Sequence, residues 1–285
     1  MDVNERIETD YLVVGAGAAG MAFVDSLIDH CDADVVLVDR RHGPGGHWLD
    51  AYPFVRLHQP STTYGVNSTP LGRGRRDPDP REVGFNERAS GTEICGYYDD
   101  LLQHRLLTSG QVRFFPLCEH LGGNLIRSRV TGRTTEVTVR QRTVDATHLE
   151  TRVPAKEPPP FEVGEGVRCL PVGQLVGVER PASGYVIVGG GKTGLDAAIW
   201  LLDQGTDPDD ITWVRPQEGW LLNRAFFQPG DGVLDVFRGT VLQLEAIAAS
   251  SSVDEVFGRL DADGVVIRVD PQVWPTMMKG ATLSV

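Results

Sequence analysis

The stretch Asp10-Tyr-Leu-Val-Val-Gly15-Ala-Gly17-Ala-Ala-Gly20 decides how the first part of the chain is read. Residues 10–14 form a short apolar run that predicts a buried strand, and Gly15 ends it. Residues 18–29 place small and apolar side chains at helical spacing, and residues 34–38 predict a second buried strand closed by Asp39. Between strand and helix the glycines fit GxGxxG. The first permits a tight turn, the second lets the backbone approach a pyrophosphate, and the third lets the helix lie close on the strand. The helix N-terminus adds N–H donors and a favourable dipole for an anion. Asp39, with Arg40 after it, stands where an acid would accept hydrogen bonds from a ribose diol.

The pattern occurs a second time. Tyr185-Val-Ile-Val188 predicts a strand, Gly189-Gly190-Gly191-Lys192-Thr193-Gly194 again fits GxGxxG, and residues 195–204 predict a helix capped by Gly205. No acid ends the next predicted strand, 211–214. Arg215 stands there instead, either as a partner for the 2′-phosphate of NADP or as an ordinary exposed arginine after a strand. Gly191-Lys192-Thr193 is not a phosphotransfer loop, because GxxxxGK[ST] is absent. Repetition of one βαβ unit strengthens both readings. The fold class expected is α/β with two Rossmann-like dinucleotide-binding domains, at residues 1–155 and 156–285. The proline-rich run 153–160 is the expected linker.

Composition narrows the functions. The 285 residues carry a net charge of −12, which disfavours nucleic acid and anionic membranes as partners. There are 33 glycines, about 12% against a usual ~7%, consistent with turns and close backbone approach to ligand. No apolar run is long enough for a transmembrane helix, and residues 1–10 lack a signal-peptide pattern. Cys31, Cys95, Cys118 and Cys169 are scattered, which predicts free thiols in a cytoplasmic protein and no zinc or other metal site.

Residues 40–90 are rich in Gly, Pro, Arg and aromatics and predict a long functional loop, with 70–80 solvated. Residues 92–107 predict an amphipathic helix. Residues 112–115, 126–131 and 136–144 predict strands of an antiparallel excursion, and 219–285 reads mostly as helix and loop.

Together with both cradles, Asp39, Gly45-Gly46-His47-Trp48, Tyr52-Pro53, Arg56, Arg215 and Trp220 resemble the class B flavin-dependent monooxygenases. The resemblance covers nearly the whole chain. It implies FAD on the first cradle and NADP on the second, with Gly46, His47, Trp48 and Arg56 near the flavin. Taken alone, Trp48 reads as core, and His47 and His58 as structural or solvated. The segment from Arg56 through His58 to Tyr64 is the expected wall of a reactive pocket, with Arg56 and His58 the candidate catalytic residues. The family's phenylalanine, glycine and histidine between the cradles is only partly matched: Phe161, Gly164 and Gly166 are present and the histidine is not. Three functions stay open on this reading. They are an FAD-dependent enzyme that takes hydride from NADPH and activates oxygen on a small-molecule substrate, a reductase that passes electrons to a partner, and a redox sensor without turnover. The stretch after Arg215 holds no third glycine-rich turn to close over a flavin. A C-terminally truncated chain is therefore expected, the alternative being a short form whose homodimer partner covers the gap.

Overall fold

The structure is a computed structural model that describes residues 3–148 and 157–284. The chain divides into two compact units. The first comprises Met1–Ala51, Tyr64–Leu71 and Gly91–Glu162; the second comprises Tyr52–Thr63, Gly72–Ser90 and Val163–Val285. The long loop is thus shared between units. Of the expected linker, 153–156 lies outside the described residues, and 157–160 is exposed with neither helix nor strand.

The first unit is built on a six-stranded sheet. Its strands are β1 (Glu5–Val14), β2 (Val35–Val38), β3 (Val112–Phe115), β4 (Cys118–His120), β5 (Leu125–Ser128) and β6 (Thr134–Asp145), in the order β3-β2-β1-β6-β5-β4. β3, β2, β1 and β6 run parallel, and only the β4–β5 and β5–β6 pairings are antiparallel. The expected antiparallel excursion is met by the β5–β6 pairing and corrected for β3: β3 and β6 extend the parallel sheet on either side of β1 and β2. A parallel sheet needs cover on both faces, and every residue of β2 is buried. Leu12, Val36, Val38, Ile126 and Val137 form a core cluster. Helix α1 (Ala18–His30) buries Gly20, Met21 and Val24. Helix α2 (Gly91–Leu101) stops earlier than its apolar period suggests. A π turn follows at Leu102–Leu106, then a 3₁₀ turn at Leu107–Ser109, closed by Gly110 at φ 75°.

The second unit pairs β7 (Tyr185–Val188) with β8 (Ile211–Val214) in parallel, with α3 (Lys192–Asp203) between them in sequence. Ile187, Ala197 and Leu201 form its small core. Gly205 follows α3 at φ 85° and donates to the Leu202 carbonyl, the expected C-terminal cap. Downstream are β9 (Trp220–Asn223), α4 (Val233–Ala248), α5 (Val253–Ala262), β10 (Val266–Ile267) and β11 (Met278–Leu283). The reading of 219–285 expects two helices near 236–250 and 253–260 and a strand at 265–269, and α4, α5 and β10 fall there; β9 and β11 are the correction. β10, β9 and β11 make a three-stranded sheet over a core of Trp220, Ala246, Leu260, Val265 and Val266. β11 pairs with β9 across more than fifty residues, so no local pattern announces it.

The loop 70–80 is not wholly solvated. Asp77 and Glu82 are buried, and Arg88 bridges both at 3.1 Å and 3.0 Å. Buried carboxylates of this kind need such partners.

Candidate functional site

In the first cradle Gly15 takes φ 101° and donates to the Val38 carbonyl at 2.8 Å. A Cβ at Gly20 would stand 1.9 Å from the Gly15 carbonyl oxygen, so only glycine lets α1 leave the strand this closely. Gly17 is the N-cap of α1. No side chain caps it and no acid occupies the first turn, so the first-turn amides keep their preference for an anion. A Cβ at Gly17 would meet nothing nearer than the Gly46 Cα at 3.5 Å. Asp39 is buried; its carboxylate accepts from the Ala16 and Arg41 amides, both at 2.7 Å. It therefore lies beside the first glycine turn. The Arg40 carbonyl accepts from Arg129.

The Gly-Gly-His-Trp run is brought onto the same cradle. The Gly45 amide donates to the Ala16 carbonyl at 2.9 Å. Gly46 sits at φ 60° with the Gly17 Cα only 2.9 Å from where its Cβ would be. Trp48 donates from Nε1 to the Tyr64 hydroxyl at 2.7 Å and meets that ring edge-on at 5.9 Å. The His47 ring lies 5.1 Å from that of Trp48. Burial, helped by the Arg41 charge, pushes the His47 pKa down. His47 is thus held toward its neutral form.

The second cradle repeats the geometry. Gly189 takes φ 118°, Gly191 is the uncapped N-cap of α3, and a Cβ at Gly194 would stand 2.4 Å from the Gly189 oxygen. Trp213 from β8 donates to that same oxygen at 2.8 Å. Lys192 does not reach outward: its ammonium pairs with Asp196 one turn on, and Tyr52 donates to the same carboxylate at 2.6 Å. Burial lowers the Lys192 pKa and raises that of Tyr52. Thr193 follows Lys192 in the first turn of α3.

Arg215 lies beside the turn, with its Cβ 3.5 Å from the Cβ position of Gly190. Its guanidinium pairs with Glu218 at 2.8 Å and Asp270 at 3.6 Å, and lies 5.0 Å over the Trp213 ring. A second cation, which sequence reasoning missed, stands here. Lys279 of β11 donates to the Gly190 carbonyl at 2.5 Å, with its stem laid over Gly219. Nothing in the local sequence points to it, because β11 reaches this place only through its pairing with β9.

The candidate catalytic residues lie in the second unit. Arg56 donates from Nε and Nη2 to the Arg88 carbonyl at 3.2 Å and 3.0 Å. His58 accepts at Nδ1 from the Thr282 amide at 3.3 Å, and its carbonyl accepts from the buried Arg224 at 2.9 Å. Burial, then the Lys192 and Arg224 charges, lower the His58 pKa. Tyr64, from the expected pocket wall, belongs to the first unit instead.

Residues 13–67 match the family model of the NAD(P)-binding Rossmann-like domain. That match covers the first glycine turn, Asp39 and the Gly-Gly-His-Trp run, in a Rossmann-like fold. The curated relatives include uncharacterized proteins of Mycobacterium tuberculosis (strain ATCC 25618 / H37Rv) and Mycobacterium bovis. Each is 48% identical over 285 aligned residues, covering 98% of this chain and 52% of its own length. The chain thus spans about half the length of the curated relatives it matches. Among solved structures, a flavin-containing monooxygenase from Stenotrophomonas maltophilia is 17% identical, over 98% of this chain and 72% of that one, with a TM-score of 0.45. An open cyclohexanone monooxygenase is 19% identical, over 86% and 50%, with a TM-score of 0.48. A bacillithiol disulfide reductase from Staphylococcus aureus is 15% identical, over 83% and 64%, at 0.46. These likenesses are too distant to transfer an activity. Among the described residues no helix is long and apolar enough to cross a membrane.

Proposed function

We propose that the chain is the dinucleotide-binding part of an FAD- and NADPH-dependent oxidoreductase, with FAD on the first cradle and NADPH on the second. The observation that carries this is the doubled cradle: Gly20 and Gly194 each stand where a Cβ would strike the oxygen of the first glycine. That close approach leaves the helix N-terminus bare toward an anion, twice in one chain. Gly46 against Gly17 keeps side chains away from the first turn, which suits an extended FAD, and Trp48 offers a flat neighbour for a ring. Bound flavin would supply the redox chemistry, accepting hydride from the nicotinamide and passing electrons to oxygen or another acceptor. The chain's own residues bind and orient. Asp39 would receive the ribose, and the first-turn amides of α1 the pyrophosphate. Arg215 and Lys279 together would receive the 2′-phosphate of NADPH, which requires Arg215 to loosen its hold on Glu218.

A monooxygenase-like outcome on a small-molecule substrate is the leading reading. The absent histidine in 161–171 favours a second, a reductase that hands electrons to a partner without oxygenation. The test is an absorption spectrum of protein reconstituted with FAD, before and after anaerobic NADPH. A bound yellow band that bleaches with NADPH is expected. No bound flavin, or a band indifferent to both nicotinamide nucleotides, overturns the proposal; oxygen incorporated into a product separates the first reading from the second.

A further inference from the structure

Helix α4 is apolar on two opposite sides. Its inner side carries small residues: Gly239 and Ala246, seven apart, are buried, and Leu242 lies between them against the Trp220 cluster. Gly239 is needed there, since a Cβ would stand 2.8 Å from the Phe226 ring. The outer side carries large ones. Leu234, Phe237, Val241 and Leu244 are 75%, 65%, 50% and 62% exposed, and Ile247 beside them is 61% exposed. A surface helix ordinarily turns one apolar stripe inward and a polar face to water. Here the stripe facing water holds the bulkier side chains. A patch of this kind, on the order of 500 Å², is what marks a protein contact surface.

The spacing of the outer stripe, three then four then three residues, is that of a helix–helix seam with Leu234 and Val241 at one knob position and Phe237 and Leu244 at the other. The flanks identify the partner. Arg238 and Glu245 both follow the seam on the same side, seven residues apart, and both are exposed. Laid antiparallel on a second α4 about a two-fold axis near residues 241–242, each Arg238 comes opposite the other copy's Glu245, giving two ion pairs from one residue pair. Laid parallel, the same side faces Val233, Thr240 and Ile247, and no charge is matched. The flanks of the stripe are thus self-complementary in charge, and only in one direction.

We propose that α4 is a homodimer interface in which two copies of this chain pair α4 antiparallel, with the Leu234–Leu244 seam buried and Arg238 of each copy on Glu245 of the other. Sixteen residues span about 24 Å of helix. The interface is therefore at the small end of specific contacts, which suits a reversible association. It is independent of what the cradles bind.

Sedimentation equilibrium of the whole chain across the micromolar range tests it, with flavin binding followed separately. A monomer–dimer equilibrium is expected. Leu244→Asp changes an exposed position, so it should keep its circular dichroism spectrum and sediment as a monomer. Arg238→Glu and Glu245→Arg should each weaken the dimer about tenfold by setting like charges opposite one another, and the double swap should restore it. A wild-type chain that stays monomeric overturns the proposal. So does a dimer that survives Leu244→Asp, a double swap that fails to restore association, or open-ended aggregation in place of a dimer. Loss of nucleotide binding with the dimer intact counts against the proposed function alone.

Discussion

The two cradles are nearly the same object locally and differ in their surroundings. Their first glycines sit at φ 101° and 118°, both helices begin on an extended, uncapped glycine, and both third glycines exclude a Cβ. Yet β1 and β2 lie in the middle of a six-stranded sheet, with Leu12, Val13 and Val35–Val38 all buried. β7 and β8 stand as a pair, with Val186, Val188 and Val214 at 67%, 53% and 43% exposed. The geometry of the glycine turn is therefore a property of six residues and two elements, whereas the burial that makes a parallel strand stable is a property of the whole sheet. The first cradle should behave as rigid scaffold and the second as a site more easily deformed.

The largest expected effect puts the same change in both. Gly20→Ala drives a methyl into the Gly15 carbonyl, within a sheet that cannot yield; more than about 3 kcal/mol of stability should be lost. Gly194→Ala meets the Gly189 carbonyl from 2.4 Å in a half-exposed pair of strands and should cost less. Denaturant unfolding of the two variants measures the difference. Equal losses would break the contrast between a rigid and a yielding cradle.

Binding comes next. Gly17→Val should abolish FAD binding by titration, and Gly17→Ala, whose Cβ meets nothing nearer than the Gly46 Cα at 3.5 Å, should keep unfolding close to wild type. A Gly17→Val variant that binds FAD as before would remove the first cradle from the proposal. Arg215→Ala should weaken NADPH about tenfold or more, from the loss of about 1.5–3 kcal/mol for a bond to a charged group, and leave NADH nearly unchanged. Lys279→Ala should act in the same direction. If Arg215→Ala leaves NADPH untouched or improves it, Glu218 and Asp270 keep that guanidinium occupied and it does not read the phosphate.

The smallest effect concerns pH. Burial and the Lys192 and Arg224 charges lower the His58 pKa in the fold, below its ordinary 6.5. The unfolded chain then takes up the proton first as pH falls. The stability due to neutral His58 is whole above pH 6.5 and is lost on going below it, at no more than one proton's worth, about 1.4 kcal/mol per pH unit. His58→Gln should flatten unfolding free energy against pH below 6.5 in the second unit. A slope unchanged in that variant would assign it to other groups.

Much of this was legible in residue order. β3, β7 and β8 fall on the residues their apolar runs predict, and α1 and α3 on theirs to within a few positions. The first and third glycines of each cradle carried their geometric roles in their spacing alone. Gly46 lay outside that reach. Its place on Gly17 came from resemblance, because a loop between 40 and 51 has no periodicity to read. The long stretch 40–90 hid more: Arg56 and His58 read in sequence as a pocket wall, and only the fold brings the Arg88 carbonyl and the Thr282 amide to them, by contacts 32 and 224 residues away.

What residue order determined was whatever depends on the nearest few neighbours: left-handed backbone at Gly15 and Gly189, two helix N-termini left open to an anion, and the acid or arginine that ends the following strand. What only the tertiary structure decided was whatever depends on distant pairing. β11 reaches β9 and carries Lys279 to Gly190, Asp270 reaches Arg215, and the same βαβ unit is buried in one half and half-exposed in the other. Turn conformation is fixed by sterics within a few bonds, whereas burial and ion pairing are fixed by which distant segment arrives, and no local pattern encodes that arrival.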